Sequence, residues 1–282
     1  MIHKPHRWLY SLNGLEYPDL WRGVAFVAPF LQMSAAGKVT LLDARGRPLN
    51  GANLTANGTE WRGSPYGLAL GNSNDAEQRR LVQTGFAPIT TSDGAGTGDF
   101  TIIILANPRA EARVAVGLAQ RYNSAPTNQC RLDFNTSADS TSSGSFSFYT
   151  HATATSSVGV SGVVDGGWHM FGGVRIAGKM TAWVDGVARA TSTPTLRGVY
   201  NSGAVFCIGG FPTVSSAGMY AGDTVAFASG WNRALNDAEM RLLARDPFAM
   251  FRSRRDWVMK AAAAGGADVR NHIIPAYMRI AA

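Results

Sequence analysis

Within the nineteen residues WHMFGGVRIAGKMTAWVDG, Trp168 to Gly186, the chain collects His169, Arg175, Lys179 and Asp185, its densest group of reactive side chains. A histidine and an aspartate are two parts of an acid–base constellation, which needs a base, a partner that orients it and a nucleophile. Hairpin pairing of the two halves of the stretch would bring His169 to Asp185. No serine or cysteine stands beside them to act as nucleophile, so no residue is assigned a catalytic role. The two cysteines, Cys130 and Cys207, are far apart and lack Cys-x-x-Cys spacing, which argues against a zinc site and a disulfide framework. Both are expected as free thiols, Cys207 inside a buried strand.

Periodicity shows what must carry these side chains. Trp168, Met170, Val174 and Ile176 fall on one face of a strand, and after an Ala177-Gly178 turn Met180, Ala182 and Val184 fall on one face of the next. His169, Phe171, Arg175, Thr181, Trp183 and Asp185 are expected on the opposite face. Asp185-Gly186 then makes a second turn. Upstream, VAFVAPFL, KVTLLDARGRPLNG and TEWRGSPYGLALGN are short apolar segments separated by Gly, Pro and Asn, the pattern of β meanders. DFTIIILANP is a β-branched run ending at a proline, as expected of a strand buried on both faces. EARVAVGLAQRYN is assigned as strand by its alternating Val114, Val116 and Leu118. Leu132 with Phe134, and Phe146 with Phe148, mark two strands around a Ser-rich loop at 136–145, expected to face solvent. One helix is predicted late, capped by Asn236 with Glu239 three residues on and ending before Pro247.

With 45% apolar and 16% charged residues and 32 glycines in 282, the composition suits short strands and tight turns in a large β domain. The formal net charge of +7 favours acidic surfaces without naming one. The N-terminus lacks the apolar core of a signal peptide, and the apolar runs are too short to span a bilayer, so a soluble intracellular product with no membrane partner is expected. The expected division is an irregular N-terminal arm (1–22), a β domain (23–246) and a basic C-terminal tail (247–282).

Several motifs in order resemble the laminin G-like, concanavalin A-like domains. Asp-Gly-Gly-Trp-His at 165–169 precedes a strand, Trp-Val-Asp-Gly at 183–186 closes the next, and Phe206-Cys-Ile-Gly-Gly210 follows. Then come Tyr220-Ala-Gly-Asp-Thr-Val-Ala-Phe227 and Trp231-Asn-Arg-Ala-Leu-Asn-Asp-Ala-Glu239, similar to that family's penultimate strand and helix. Val24 to Leu31, Tyr66 to Leu70 and Asp99 to Ile104 resemble its early strands. The resemblance covers about residues 22 to 246 and implies an all-β, two-sheet antiparallel jelly-roll sandwich with one short C-terminal helix and extended terminal arms. Some such sandwiches are glycosidases carrying a Glu-x-Asp-x-x-Glu strand, a spacing this chain lacks. Others bind sugars through exposed aromatics, and Trp183, Phe171 and Tyr149 are the candidates for stacking, or else for the core or a subunit contact. Asp223 matches a position that supplies calcium in some relatives. A lone carboxylate does not hold calcium, so neither metal nor cofactor is expected.

Asp246-Pro-Phe-Ala-Met-Phe-Arg-Ser-Arg-Arg-Asp-Trp257 resembles the ending that follows laminin G-like domains in tailed-bacteriophage virion proteins. It implies an assembly anchor made of Phe248, Phe251, Arg252, Arg254, Arg255 and Trp257. The sequence-level reading is a non-enzymatic structural protein of the virion, a decoration or tail component made in the host cytoplasm. Its expected partners are other virion proteins and further copies of itself. The basic tail shows no helix-turn-helix or aromatic groove pattern, so nucleic acid is not its expected partner. The alternative is a carbohydrate-binding module for host-surface glycans.

Overall fold

Alternating apolar residues become strands almost wherever the chain is described. The structure is a computed structural model and describes residues 15–29, 38–57, 60–71, 80–91, 98–111, 115–122, 129–137, 140–150, 157–193, 199, 204–210 and 222–252. The strands are β1 (Val24–Ala28), β2 (Lys38–Leu42), β3 (Pro48–Asn57), β4 (Glu60–Ser64), β5 (Gly67–Gly71), β6 (Arg80–Thr84), β7 (Phe100–Asn107) and β8 (Ala115–Tyr122). They continue as β9 (Gln129–Ser137), β10 (Ser140–Tyr149), β11 (Ser157–Val160), β12 (His169–Ile176), β13 (Lys179–Val184), β14 (Val187–Ser192), β15 (Ala204–Ile208) and β16 (Thr224–Trp231). One helix, α1 (Asp237–Arg245), follows.

Hydrogen bonding runs in the order β11-β10-β9-β8-β15-β6-β3-β2-β1-β16-β7-β12-β13-β14. The path folds back on itself, because β11 touches β13 and β14, and β10 touches β12 and β13. The result is two facing antiparallel sheets: a back sheet from β11 to β3 and a front sheet from β1 to β14, with β2 passing between them. The β4–β5 hairpin joins the front sheet through β16.

β7 shows why the front sheet is apolar on both sides. Phe100, Ile102, Ile104 and Ala106 enter the core between the sheets, with Phe26, Phe134, Phe146, Phe148, Phe171 and Phe206. Ile103 and Leu105 enter a second cluster on the outer face, with Trp21, Trp183, Trp231, Met240, Leu243 and Phe251. A strand packed on both faces reads as a continuous apolar run, as the sequence showed.

The β12–β13 hairpin corrects the expected faces. Ala177 (φ 47°) and Gly178 (φ 82°) form a two-residue turn with both central residues at positive φ. That turn pairs Ile176 with Lys179 and Arg175 with Met180. Even positions of β12 therefore share a face with odd positions of β13. Phe171 joins Met180, Ala182 and Val184 in the inter-sheet core, while Met170, Val174 and Trp183 lie on the outer face. The Ser-rich stretch at 136–145 differs as well. β9 and β10 run through most of it, and Thr136 and Ser145 are buried.

α1 forms where its cap predicts. Asn236 accepts from Glu239 N at 2.9 Å while the Glu239 carboxylate accepts from Asn236 N at 2.9 Å. Met240 and Leu243 are its buried positions. The residues before the helix act as a staple. Trp231 Nε1 donates to Leu20 O (2.7 Å), and Asn232 Oδ1 accepts from Thr90 N (2.8 Å) and Thr91 N (2.9 Å). Arg233 grips Glu239 with both terminal nitrogens, at 2.7 and 2.9 Å, and donates to the carbonyls of Arg22 and Asp19.

Both expected arms begin inside the domain. Leu15, Leu20 and Trp21 at one end, and Ala249, Met250 and Phe251 at the other, are buried in the outer cluster. Trp21 Nε1 donates to Met250 O (2.6 Å), and Glu16 N donates to Arg252 O (2.9 Å). Among the described residues, no helix is long and apolar enough to cross a membrane.

Candidate functional site

The turn that leads into β12 and the turn that leaves β13 meet at one end of the front sheet. Asp185 N donates to Met170 O (2.9 Å), and the Asp185 carboxylate returns the contact by accepting from Met170 N at 2.9 Å. Its other oxygen lies 2.6 Å from His169 Nδ1, and His169 Nε2 lies 3.0 Å from Asp165 Oδ1. The proximity expected for His169 and Asp185 is thus present. Asp165, which sequence reasoning left out, closes the group from the far side. Its four-residue separation from His169 was visible, but the pairing depends on the tight Asp165-Gly166-Gly167 turn, in which Gly167 N donates to Asp165 Oδ1 at 2.7 Å.

A carboxylate at each ring nitrogen demands two N–H donors, which only the imidazolium supplies. Burial opposes that charge, but the bonds to Asp185 and Asp165 outweigh it, and the His169 pKa is raised above its ordinary value. The Gly167 amide, followed by His169, lowers the pKa of Asp165. This arrangement suits a clamp. A general base needs a free nitrogen lone pair, and a glycosidase acid needs a carboxyl that stays protonated, the reverse of the shift at Asp165. Both cysteines are buried, and burial pushes the Cys130 thiol up to about 12, far from a thiolate.

The three residues singled out for sugar stacking lie inside the molecule, which corrects that expectation. Phe171 is fully buried with its ring centroid 4.9 Å from those of Phe134 and Phe146. Tyr149 is fully buried beneath the Arg131 guanidinium, 4.2 Å from its ring centroid. Trp183 is 5% exposed, in the outer cluster with Met240. A ring with no open face cannot stack on a sugar.

Another aromatic pair is only partly covered. Tyr66, on the turn between β4 and β5, and Trp168, just before β12, are both half-buried, with centroids 5.5 Å apart and planes at 66°. Trp168 adjoins His169 in sequence, but it packs with Tyr66 against the outer cluster, whereas the His169 ring lies 5.8 Å from that of Phe171 of the inter-sheet core. Sequence reasoning put Trp168 on one strand face with Met170, Val174 and Ile176, and read Tyr66 only as part of an early strand. The signal for Tyr66 was its place in Ser64-Pro65-Tyr66-Gly67, a turn, where Tyr66 N donates to Ser64 Oγ at 3.1 Å.

Of the expected anchor residues, Phe248 and Phe251 pack on their own domain, against Phe227 (5.6 Å) and Trp21 (5.5 Å) respectively. Arg252 pairs with Asp246. These contacts correct the assignment of Phe248 and Phe251 as free anchor rings. Arg254, Arg255 and Trp257 lie outside the described residues. Asp223 is buried and accepts from Arg109 N at 2.8 Å, so it closes a loop. Among the described residues, no group of three or more His, Cys, Asp or Glu side chains is placed to hold a metal.

Comparison with protein-family models and with curated proteins finds no match. Solved structures do match. The binding domain of Paraclostridial Mosquitocidal Protein 1 is 12% identical, with a TM-score of 0.51 over 81% of this chain and 53% of that one. The binding domain of botulinum neurotoxin DC, solved in complex with SialylT, is 11% identical (TM-score 0.52, 80% of this chain and 52% of that one). Trypanosoma rangeli sialidase, as a covalent intermediate with 2,3-difluorosialic acid, is 11% identical (TM-score 0.54, 79% and 33%). At such identities the likeness is one of fold, a jelly-roll-like β-sandwich, and this chain spans between a third and about half of those chains.

Proposed function

We propose that this jelly roll is a non-enzymatic carbohydrate-binding module that engages glycans on a host-cell surface. The observation that carries the reading is the half-buried Tyr66–Trp168 ring pair. Sugar recognition relies on aromatic faces that cover C–H surface, and this pair is only partly covered by its own domain. The engagement of the histidine by two carboxylates supports binding over hydrolysis. The same sandwich serves in a toxin binding domain solved in complex with SialylT, which makes the reading a familiar use of the fold. A glycan array probed with the full chain tests it. Specific hits lost in Trp168→Ala are expected, and silence on a broad array would overturn the reading.

A second reading, a virion structural protein held by its terminal segments, draws on the likeness of Asp246 to Trp257 to the endings of tailed-phage proteins. Removing residues 253–282 and assaying incorporation into particles tests it. Full incorporation of the shortened chain would overturn it.

A further inference from the structure

We infer that His169, clamped between Asp165 and Asp185, is a positioning residue that holds Trp168 for its ligand and releases it on losing a proton, so that binding at the Tyr66–Trp168 surface weakens as pH rises. This rests on the carbohydrate-binding reading above. Trp168 stands just outside the strand ladder, because β12 begins at His169, whose partner on β7 is Ala106. Its neighbours are held instead by the two carboxylates. Gly167 N donates to Asp165 Oδ1 at 2.7 Å, and Met170 N donates to Asp185 Oδ1 at 2.9 Å. Between them, the ring nitrogens of His169 lie 3.0 Å from Asp165 and 2.6 Å from Asp185. The backbone is thus fixed on both sides of Trp168. The clamp does not meet the rings themselves, since Trp168 packs with Tyr66 on the outer cluster while His169 lies beside Phe171 of the inter-sheet core. It acts on Trp168 through the chain, and neither carboxylate needs to touch the sugar.

One proton decides whether the clamp is complete. Two carboxylates at one ring need two N–H donors, and a neutral imidazole has only one. Asp185 is the better placed to keep it: its contact is the shorter, and it is tied to Met170 through both its carboxylate and its own amide. The proton on Nε2 is then the one lost, to the solvent that reaches the 66%-exposed Asp165 side chain, and a lone pair is left facing a carboxylate oxygen 3.0 Å away. That contact repels. The turn is free to yield, because Gly166 sits at φ 86° and a Cβ built there meets nothing within 4 Å. Asp165 and Asp185 are the charged groups that act on His169. β7 presents the uncharged Ala106 opposite it, and α1 brings Arg241 against Gly186, the residue after Asp185. Burial lowers the His169 pKa and the bonds to both carboxylates raise it by more, so the clamp is complete below the folded value and lost above it.

The test follows the Trp168 indole N–H resonance, identified by its loss in Trp168→Phe, between pH 5.5 and 8.5 in the full 282-residue chain. It should shift in one step together with the His169 ring signal, and the step should vanish in His169→Gln. Calorimetric titration of the strongest glycan-array hit at the two ends of that range reads the consequence. Affinity should fall at least about fivefold on the alkaline side, and His169→Gln should bind equally at both. Should His169→Gln fail to fold, Asp165→Asn decides: it removes one of the charges that hold the proton and should move the step to lower pH, and a step left in place would overturn the inference. A Trp168 resonance that ignores the His169 titration would overturn it too, as would a hit that needs Trp168 yet binds equally at both pH values. These results leave the carbohydrate reading intact. Silence of the array removes that reading and the switch with it.

Discussion

At 5% exposure, Trp183 is packed among Met240, Val174 and their neighbours, yet its indole N–H is buried with no acceptor among the described residues. An unmet buried donor costs about 1–3 kcal/mol. Trp183→Phe removes the donor and keeps much of the ring, so chemical denaturation should show stability unchanged or raised, whereas Trp183→Ala should cost about 3–5 kcal/mol. A large loss in the Phe variant would mean that the N–H has a partner. His169 gives a second prediction. Its folded pKa lies above 6.5, so its clamp contributes fully below that pH and fades as pH rises through the folded value. Asp165 is depressed below 3.8, so its contribution is present above 3.8 and fades only at lower pH. The stability gap between the unaltered chain and His169→Gln should therefore be largest between these values and shrink on the alkaline side. Denaturation at pH 5.5 and 8.5 checks this, and an equal gap at both would reject the clamp. The meeting of His169 and Asp185 was legible in the sequence because hairpin pairing is local. The burial of Phe171, Tyr149 and Trp183 was not, because residue type marks an aromatic as available without saying what covers its face.

Among the elements, strands were legible wherever apolar residues alternate or run unbroken, and α1 was legible through Asn236 and Glu239. The face assignment across β12–β13 was lost to parity: a two-residue turn pairs even positions with odd ones, so matching apolar stripes by position number fails. The outer cluster was also hidden, since a β strand packed on two sides looks the same whether its second cover is a sheet or a helix. Gly173 shows how closely the sheets approach. A Cβ at Gly173 would lie 2.3 Å from the Phe148 ring on the opposite strand β10, and that ring is fully buried with nowhere to retreat. Gly173→Ala should destabilise by about 1–3 kcal/mol or more through overpacking. Phe148→Leu in the same chain should recover part of the loss, because a smaller side chain admits the methyl. A thermal melt of the two variants decides the matter: no recovery would place the clash elsewhere.

For the molecule as a whole, the division into arm, domain and tail depends on where the outer cluster ends. Its boundary was expected at residue 246, after the helix, because Pro247 stops helical periodicity and basic residues follow. The chain instead returns to the front sheet. Ala249 and Met250 are fully buried, Phe251 is 6% exposed, and Met250 O receives the Trp21 indole N–H. Ending the chain after Asp246 would strip this cover from Trp21, Phe227 and Trp231 and leave a buried donor without its acceptor. Losing a single large core side chain costs about 2–5 kcal/mol, and a domain holds only about 5–15 kcal/mol in all. A chain ending at Asp246 should therefore lose its cooperative melt, while one ending at Arg252 keeps it, as circular dichroism would show. Cooperative melting of the shorter chain would mean that the outer cluster is dispensable. The difference also governs how attachment is assayed: a cut at 246 confounds lost anchoring with lost folding, and a cut at 252 leaves Arg254, Arg255 and Trp257 as the only expected anchor residues removed.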